Sequence, residues 1–199
     1  VFVSKNGIIK DIFVVVSLIP DTMQSVVSFI DISESKRKQR IIETRFRYEQ
    51  MLSDISSKAV SIISKEDFFD FCTAQLSNTL NVMYAAVFEK TEGNFLLRSV
   101  HSLKDTDSVS KSDIGIDKAI LSWEIDNFDT SGVALFHKNA KNQGETEKKY
   151  ADEYGVKTAV ALLLQANRLH FGYLSFAETR FYREWKEDEL NLIKTAAYI

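Results

Sequence analysis

Two apolar stretches near the end of the chain carry the strongest structural signal: Gly155-Val156-Lys157-Thr158-Ala159-Val160-Ala161-Leu162 and Phe171-Gly172-Tyr173-Leu174-Ser175-Phe176. Both are rich in β-branched and aromatic residues, which favour strands. The polar segment Gln165-Ala166-Asn167-Arg168 lies between them and is short enough to be a hairpin loop. The sequence therefore predicts two strands, at 156–164 and 169–176, joined as a β-hairpin.

The residues from 64 onward alternate between helical and strand patterns around this hairpin. Ser64-Lys65-Glu66-Asp67 matches a capping box, and an apolar stripe at helical spacing follows it. That stripe consists of Phe68, Phe69, Cys72, Leu76 and Leu80. We expect further strands at 82–88, 95–101 and 132–136, a mobile loop at 102–113, and helices at 117–126, 145–154 and 183–199. The pattern predicts one domain that mixes helices and strands.

Residues 1–32 read as β-structure. Asn6-Gly7 lies between apolar runs, and this dipeptide is the strongest short signal for a hairpin turn. We expect strands at 1–3, 8–19 and 23–30, with Pro20-Asp21 as a second turn. Three strands cannot close a core alone, so they must pack on preceding residues, on the rest of the chain or on a second copy. A strand pattern that begins at Val1 predicts an excised piece of a longer protein.

Residues 33–63 change to a helical period, and Asp31 or Ser33 can cap the helix. Seven positions alternate at spacings of four and three residues, which is a heptad seam. They are Ile41, Arg45, Tyr48, Leu52, Ile55, Ala59 and Ile62. Two interpretations stay open: a connecting helix that packs on its own domain, and a parallel coiled coil that pairs two copies and transmits a signal. The basic run at 35–40 has no interleaved aromatic residues, which favours a solvated helix surface over a nucleic-acid site.

Composition excludes several classes of protein. The chain has 199 residues, of which 45% are hydrophobic and 27% charged, so it can bury a core and is not wholly disordered. A net charge of −3 provides no general attraction for nucleic acid. The apolar run at 12–19 is shorter than the ~20 residues of a membrane span. One cysteine, Cys72, excludes a disulfide framework and a multi-cysteine zinc site, and fits a cytoplasmic protein.

Two parts of the chain resemble known families. The exit Val26-Val27-Ser28-Phe29-Ile30-Asp31-Ile32-Ser33, followed by Glu34-Ser35-Lys36-Arg37, resembles the "DIT-x-x-K-R" end of a PAS domain, with Ser33 in place of the threonine. Residues from about 60 to 199 resemble a GAF domain, in the two strands quoted first and in Arg183-Glu184-Trp185-Lys186-Glu187-Asp188-Glu189-Leu190. This last segment is similar to the GAF pattern "r-x-W-x-x-x-E" before the final helix.

The resemblance implies a fold class, a domain division and a function. The fold is α+β: a GAF-like antiparallel sheet flanked by helices, preceded by a long helix and a three-stranded PAS-like β remnant. The domains are the PAS strands at 1–32, a connecting or coiled-coil helix at 33–63, and the GAF domain at 64–199. The function is that of a sensory and signal-relay region in a multidomain signalling protein, typically the histidine kinase of a two-component system. Such a region forms a homodimer through the linker helix.

The sequence offers no set of catalytic residues. It has no glycine-rich phosphate loop, no kinase ATP-binding motif and no histidine in the linker helix, so any kinase activity is expected beyond Ile199. His101, His137 and His170 each lie on or beside a predicted strand and are expected to be ordinary strand residues. Cys72 lies on an apolar helix stripe and is expected to be buried and inert, which disfavours covalent attachment of a bilin. No metal site and no particular cofactor are predicted.

A ligand pocket of the GAF type is expected between the sheet and residues 115–154. Trp123 and Phe128 lie in that region, and we predict them as ligand-binding wall residues, with ordinary core packing as the alternative. The cyclic-nucleotide motif of some GAF domains is not matched, because Lys148 stands where a phenylalanine is required. Two further functions stay open: a dimerisation or interaction module without a ligand, and an enzyme.

Overall fold

The computed structural model describes residues 2–3, 5–21, 23–61, 64–91, 94–103, 128–139, 145–166 and 169–199. These residues form two compact units, one up to Glu49 and one from Gln50 onward. The predicted helix at 117–126, most of the predicted loop at 102–113, and Trp123 lie outside the described residues.

The first unit consists of two antiparallel strand pairs and the start of a long helix. Its elements are β1 (Phe2–Val3), β2 (Ile9–Lys10), β3 (Ile12–Leu18), β4 (Ser25–Asp31) and α1 (Ser33–Ser61). β1 pairs with β2, and β3 pairs with β4 from Ile12–Asp31 to Leu18–Ser25. Gly7 adopts φ +76° in the turn between β1 and β2, as a glycine there permits, whereas Asn6 is not among the described residues with positive φ. The last strand pair is Val3 with Ile9, so the loop is longer than the two-residue turn that Asn-Gly favours.

The prediction of one strand over 8–19 is wrong, because the backbone of Asp11 leaves the ladder. The Asp11 N–H donates to Ser33 Oγ at 2.8 Å, and its carbonyl accepts from the Ile32 N–H at 2.9 Å. Lys36 Nζ also lies 3.2 Å from Asp11 Oδ1. The β-structure therefore has four short strands in two sheets rather than three strands, and the break in the strand ties it to the start of α1.

The apolar side chains of β3 and β4 stay exposed. Phe13, Val16 and Phe29 each keep more than half of their surface in solvent. Among the described residues, none of the buried hydrophobic side chains precedes Met51. The first unit therefore has no closed core of its own within the described part of the chain.

The second unit is a five-stranded antiparallel sheet with helices. Its elements after α1 are α2 (Lys65–Leu80), β5 (Tyr84–Thr91), β6 (Asn94–Ser102), β7 (Val133–His137), α3 (Glu145–Glu153), β8 (Thr158–Ala166), β9 (Leu169–Glu178) and α4 (Glu187–Ala197). The strand order is β6-β5-β9-β8-β7, and each neighbouring pair is antiparallel. The predicted antiparallel sheet flanked by helices is confirmed.

Helix α2 packs on β5 and β6, and α4 packs on β8. Ser64 caps α2 as predicted, because its Oγ accepts from the Asp67 N–H at 3.3 Å. A buried hydrogen bond fixes α2 to the sheet: Thr73 Oγ1 lies 2.9 Å from Ser99 Oγ on β6. The helix is therefore held by a polar contact as well as by its apolar stripe.

The predicted seam of α1 is only partly buried. Ile55 is buried, whereas Ile41 is exposed and Tyr48 is half-buried. Met51, which lies outside the seam, is buried as deeply as Ile55. Within the second unit, the last turns of α1 therefore bury Met51 together with the seam residue Ile55.

The closing helix begins at Glu187, so its predicted start at residue 183 is wrong. Lys186 is extended at φ −77° and ψ 154°, and its N–H donates to Glu189 Oε2 at 3.0 Å. This bond satisfies a backbone donor at the start of the helix. Arg183 remains outside the helix, where its side chain reaches the end of α2.

Candidate functional site

A row of small side chains crosses the face of the sheet opposite α2. Ala86 on β5 pairs with Ser175 on β9, Ser175 pairs with Ala161 on β8, and Ala161 pairs with Ala134 on β7. Residues directly opposite one another in antiparallel strands lie on the same face, so these four form one continuous row. The three alanines are buried and Ser175 is half-buried. We call this row the trough.

An aromatic ridge lines one side of the trough. The next paired row along the strands contains Phe88, Tyr173 and Leu163. The rings of Phe88 and Tyr173 stack with centroids 4.5 Å apart and planes at 15°. The Phe95 and Phe128 rings approach Tyr173 with centroid distances of 5.2 Å and 6.1 Å. Tyr173 is fully buried, so these rings form a rigid apolar wall.

A row of aromatic and alanine side chains lines the other side of the trough. Tyr84 pairs with Ala177, which pairs with Ala159, and Ala159 pairs with Phe136. Phe136 and Ala159 form a buried cluster with Ala151 of α3. Helix α3 therefore packs on the trough side of the sheet, which is the arrangement expected for a pocket between the sheet and its covering segments.

Cys72 lies on the opposite side of the sheet from the trough. It belongs to α2, which touches the sheet through the bond from Thr73 to Ser99, and Ser99 pairs with Val87. Because side chains alternate along a strand, Val87 points away from the face that carries Ala86 and Phe88. Cys72 is buried as predicted, and burial raises the pKa of its thiol to about 12. The one thiol of the chain is therefore neutral, and the sheet separates it from the trough.

The structure separates the other candidate residues. Phe128 is half-buried against the aromatic ridge, and its role in ligand binding stays a prediction. His101, His137 and His170 lie on β6, β7 and β9 and do not converge; the His137 ring stacks on Tyr182 with centroids 5.3 Å apart. Within the described ranges, no three histidine, cysteine, aspartate or glutamate side chains are grouped so that they could hold a metal ion.

Sequence reasoning missed the trough and the ridge. Tyr173, Ser175 and Ala161 all stand in the strands quoted first, and their alternation places them on one face in principle. The missing information was the pairing with Ala86 and Phe88, which lie more than 80 residues earlier. Small residues at alternate strand positions were the available signal.

A polar cluster joins the end of β9 to the end of α2. Arg180 donates from Nη2 to Glu178 Oε2 at 2.7 Å and to the Asn81 carbonyl at 2.8 Å. Arg183 donates from Nη2 to the Leu80 carbonyl at 2.8 Å and to Glu189 Oε1 at 2.6 Å. Two guanidinium groups thus bind the carbonyls at the C-terminus of α2, where the helix dipole favours a cation.

The pKa of Glu178 is lowered although its side chain is buried. Burial is the largest single effect and would raise this pKa. The hydrogen bonds from the Arg180 side chain and backbone, together with the charges of Arg180 and Arg183, outweigh it. The charged carboxylate is consequently the stable form in the folded protein. This cluster positions β9, α2 and α4 relative to one another.

Solved structures share this architecture. No protein-family model matches the chain, and no curated protein matches it at a significant level. A phycocyanobilin-bound GAF domain from a cyanobacterial phytochrome covers 76% of this chain and 90% of its own length, with a TM-score of 0.61 and 16% identity. The second unit has a GAF-like fold.

Two further GAF domains agree with this result. One, from a candidate sensor histidine kinase of Pseudomonas syringae pv. tomato, matches with a TM-score of 0.54 and 12% identity over 80% of this chain and 88% of its own. The other is the blue-light absorbing form of the PixJ GAF domain from Thermosynechococcus elongatus, with a TM-score of 0.54 and 12% identity over 67% and 82%. At these identities the likeness shows the GAF-like fold alone. None of the helices in the described ranges is both long enough and apolar enough to cross a bilayer.

Proposed function

We propose that this chain is a cytoplasmic sensory and signal-relay region that binds a small molecule in the trough. The observation that carries the proposal is the buried row of Ala86, Ser175, Ala161 and Ala134 beside the aromatic ridge. The three alanines form one apolar cluster with Phe88 and Tyr173. A ligand that covers this cluster would meet small side chains beside aromatic rings, and such a lining suits a molecule that is mainly apolar. GAF domains of similar fold hold phycocyanobilin or belong to a candidate sensor histidine kinase, which supports a sensory role.

The proposed ligand is held without a covalent bond. The chain has one cysteine, and it lies on the side of the sheet away from the trough. Ser175 supplies the hydroxyl in the floor, and the aromatic ridge supplies a flat apolar surface. These features favour a ligand with a largely apolar body over a phosphate or another strongly charged group.

The relay is proposed to run through helices to an output domain, as in a histidine kinase of a two-component system. In this reading, residues 1–32 are the final strands of a PAS domain, 33–63 connect the two domains, and 64–199 form the GAF domain. The bonds from Asp11 to Ser33 and Lys36 support it, because they fix the start of α1 to the preceding strands. The region itself performs no catalysis in this proposal.

We also propose that two copies pair along α1. Ile41, Ile42 and Phe46 are apolar and exposed on this helix. Sedimentation velocity is expected to give a dimer for the wild type and a monomer for the double variant Ile42→Glu, Phe46→Glu. A wild type that stays monomeric at high concentration would exclude this pairing.

Native mass spectrometry tests ligand binding directly. The wild type, purified from cells of its natural host, is expected to retain a small molecule that is released on unfolding. Ala161→Phe fills the trough and should remove the bound mass, whereas Leu135→Phe on the exposed side of β7 should keep it. A folded wild type with the mass of the polypeptide alone would contradict the sensing proposal and favour a dimerisation module without a ligand.

A further inference from the structure

A second cavity lies on the helix side of the sheet, away from the trough. Its volume is about 180 Å³. Buried side chains of two helices and the sheet form the floor: Ile55 of α1, Cys72 and Leu76 of α2, Val87 of β5 and Leu174 of β9. All residues that line this cavity, which we call the helix-side cavity, belong to the second unit.

The mouth of the helix-side cavity is apolar as well. Phe69 of α2, Phe171 of β9 and Ala197 of α4 line it. Phe171 is exposed, while Phe69 and Ala197 are half-buried, so the cavity has an opening to solvent. An entry route for a small molecule therefore exists without unfolding of the helices.

The lining determines the chemistry that fits. Its side chains are aliphatic or aromatic, with the exception of the Cys72 thiol. A thiol that stays protonated is a weak donor and behaves as a small hydrophobic group. A water molecule needs two to four polar partners in a cavity, and the side chains here do not provide them. Charged and strongly polar ligands are excluded for the same reason.

The volume sets the size of the occupant. An apolar protein cavity of about 150 Å³ stays dry and takes up benzene. The helix-side cavity is slightly larger, so it has room for one aromatic ring or a short branched alkyl group. It is too small for an amphipathic helix, whose diameter with side chains is about 10 Å.

We infer that the helix-side cavity is a binding site for a small uncharged apolar molecule, of the size of one aromatic ring or a short branched alkyl group. The site is separate from the trough and does not rest on the function proposed above. Because α1, α2 and α4 each contribute a wall, an occupant fills the space among three helices and stabilises their packing. The site therefore gives a second ligand a direct contact with the helices that enter and leave the sheet.

The test uses benzene as the probe and the thermal unfolding of the full chain as the first readout. A ligand that binds only the folded state stabilises it by RT ln(1 + [L]/Kd), so the melting temperature should rise with benzene concentration. The benzylammonium cation, which has the same ring and a charge, should leave the melting temperature unchanged. The absence of a benzene effect at millimolar concentration would overturn the inference.

Two variants assign the binding to this cavity. Ala197→Phe places a ring in the mouth and is expected to weaken benzene binding at least tenfold. Ala161→Phe, in the trough, is the matched control and should change it less than twofold. Benzene binding that is lost in Ala161→Phe and kept in Ala197→Phe would assign benzene to the trough and overturn the inference.

A chemical readout on the wild type covers the case in which Ala197→Phe fails to fold. Cys72 is the one cysteine of the chain, so one added mass from methyl methanethiosulfonate reports on this cavity alone. Saturating benzene should slow this modification at least fivefold. The melting temperature should not fall under the same conditions, because a fall would mean that benzene had partly unfolded the protein. An unchanged rate of modification at saturating benzene would show that the cavity does not bind benzene, and would overturn the inference.

Discussion

The carboxylate of Glu178 and the guanidinium of Arg180 form a two-bonded ion pair at the end of β9, with Nε–Oε1 at 2.9 Å and Nη2–Oε2 at 2.7 Å. Glu178 is fully buried, and Arg180 continues from it to the Asn81 carbonyl at the end of α2. Two residues that lie two positions apart in sequence therefore connect the central strand to a helix that ends almost 100 residues earlier.

Glu178→Gln should lower the free energy of unfolding by about 1.5–3 kcal/mol, because hydrogen bonds to charged groups contribute in that range. The variant leaves the Arg180 guanidinium, whose side chain is 32% exposed, with a neutral partner. Urea unfolding followed by circular dichroism measures the change. Glu184→Gln, at an exposed position nearby, is the control and should lie within about 0.5 kcal/mol of the wild type.

Stability should fall as the pH falls below the ordinary pKa of a glutamate, about 4.3. The pKa of Glu178 is lowered in the folded state, so the unfolded chain takes up its proton first and is favoured by acid. Urea unfolding at several pH values between about 5 and 3 gives the free energy of unfolding as a function of pH. This free energy should change less steeply with pH for Glu178→Gln than for the wild type. A residual slope is expected, because Lys65 lowers the pKa of Glu89 as well. If the free energy of unfolding depends on pH equally in the two proteins, Glu178 does not contribute to this acid sensitivity.

Gly172→Ala should destabilise the second unit strongly. A Cβ at this position would lie 2.1 Å from the Phe88 carbonyl oxygen, and a backbone atom in a central strand cannot move aside. We expect a loss of about 3 kcal/mol or more. Gly155→Ala is the matched comparison: it has open space and only the strain of φ +65°, so about 1 kcal/mol is expected. If both variants lose the same stability, the close approach to Phe88 is not the cause.

The hydrogen bond between Thr73 and Ser99 should appear in a double-mutant cycle. Thr73→Val keeps the shape of the side chain but leaves the buried Ser99 hydroxyl without this partner, and should cost about 1–3 kcal/mol. Adding Ser99→Ala removes the unsatisfied group, so the double variant should be less destabilised than the sum of the single variants. Additive effects, measured by chemical unfolding, would show that the two hydroxyls do not interact.

Local features were predictable from the sequence because their causes are local. The turn at Asn6-Gly7, the cap at Ser64 and the burial of Cys72 each depend on residues within a few positions of one another, and the structure confirms them. The start of α4 was predicted four residues too early, because Arg183 binds the end of α2 instead of joining the helix. The strand at 8–19 was predicted unbroken, because the bond from Asp11 to Ser33 joins residues that lie 22 positions apart.

The sequence by itself determined most of the described strands and helices, though not all of their ends, and it determined which side chains alternate toward one face. Only the tertiary structure decided that Ala86 lies beside Ser175, that Tyr173 stacks on Phe88, and that Cys72 is on the other side of the sheet. Alternation is a property of a single strand, whereas the order and register of strands depend on packing between segments far apart in the chain. The trough and the helix-side cavity both arise from that packing.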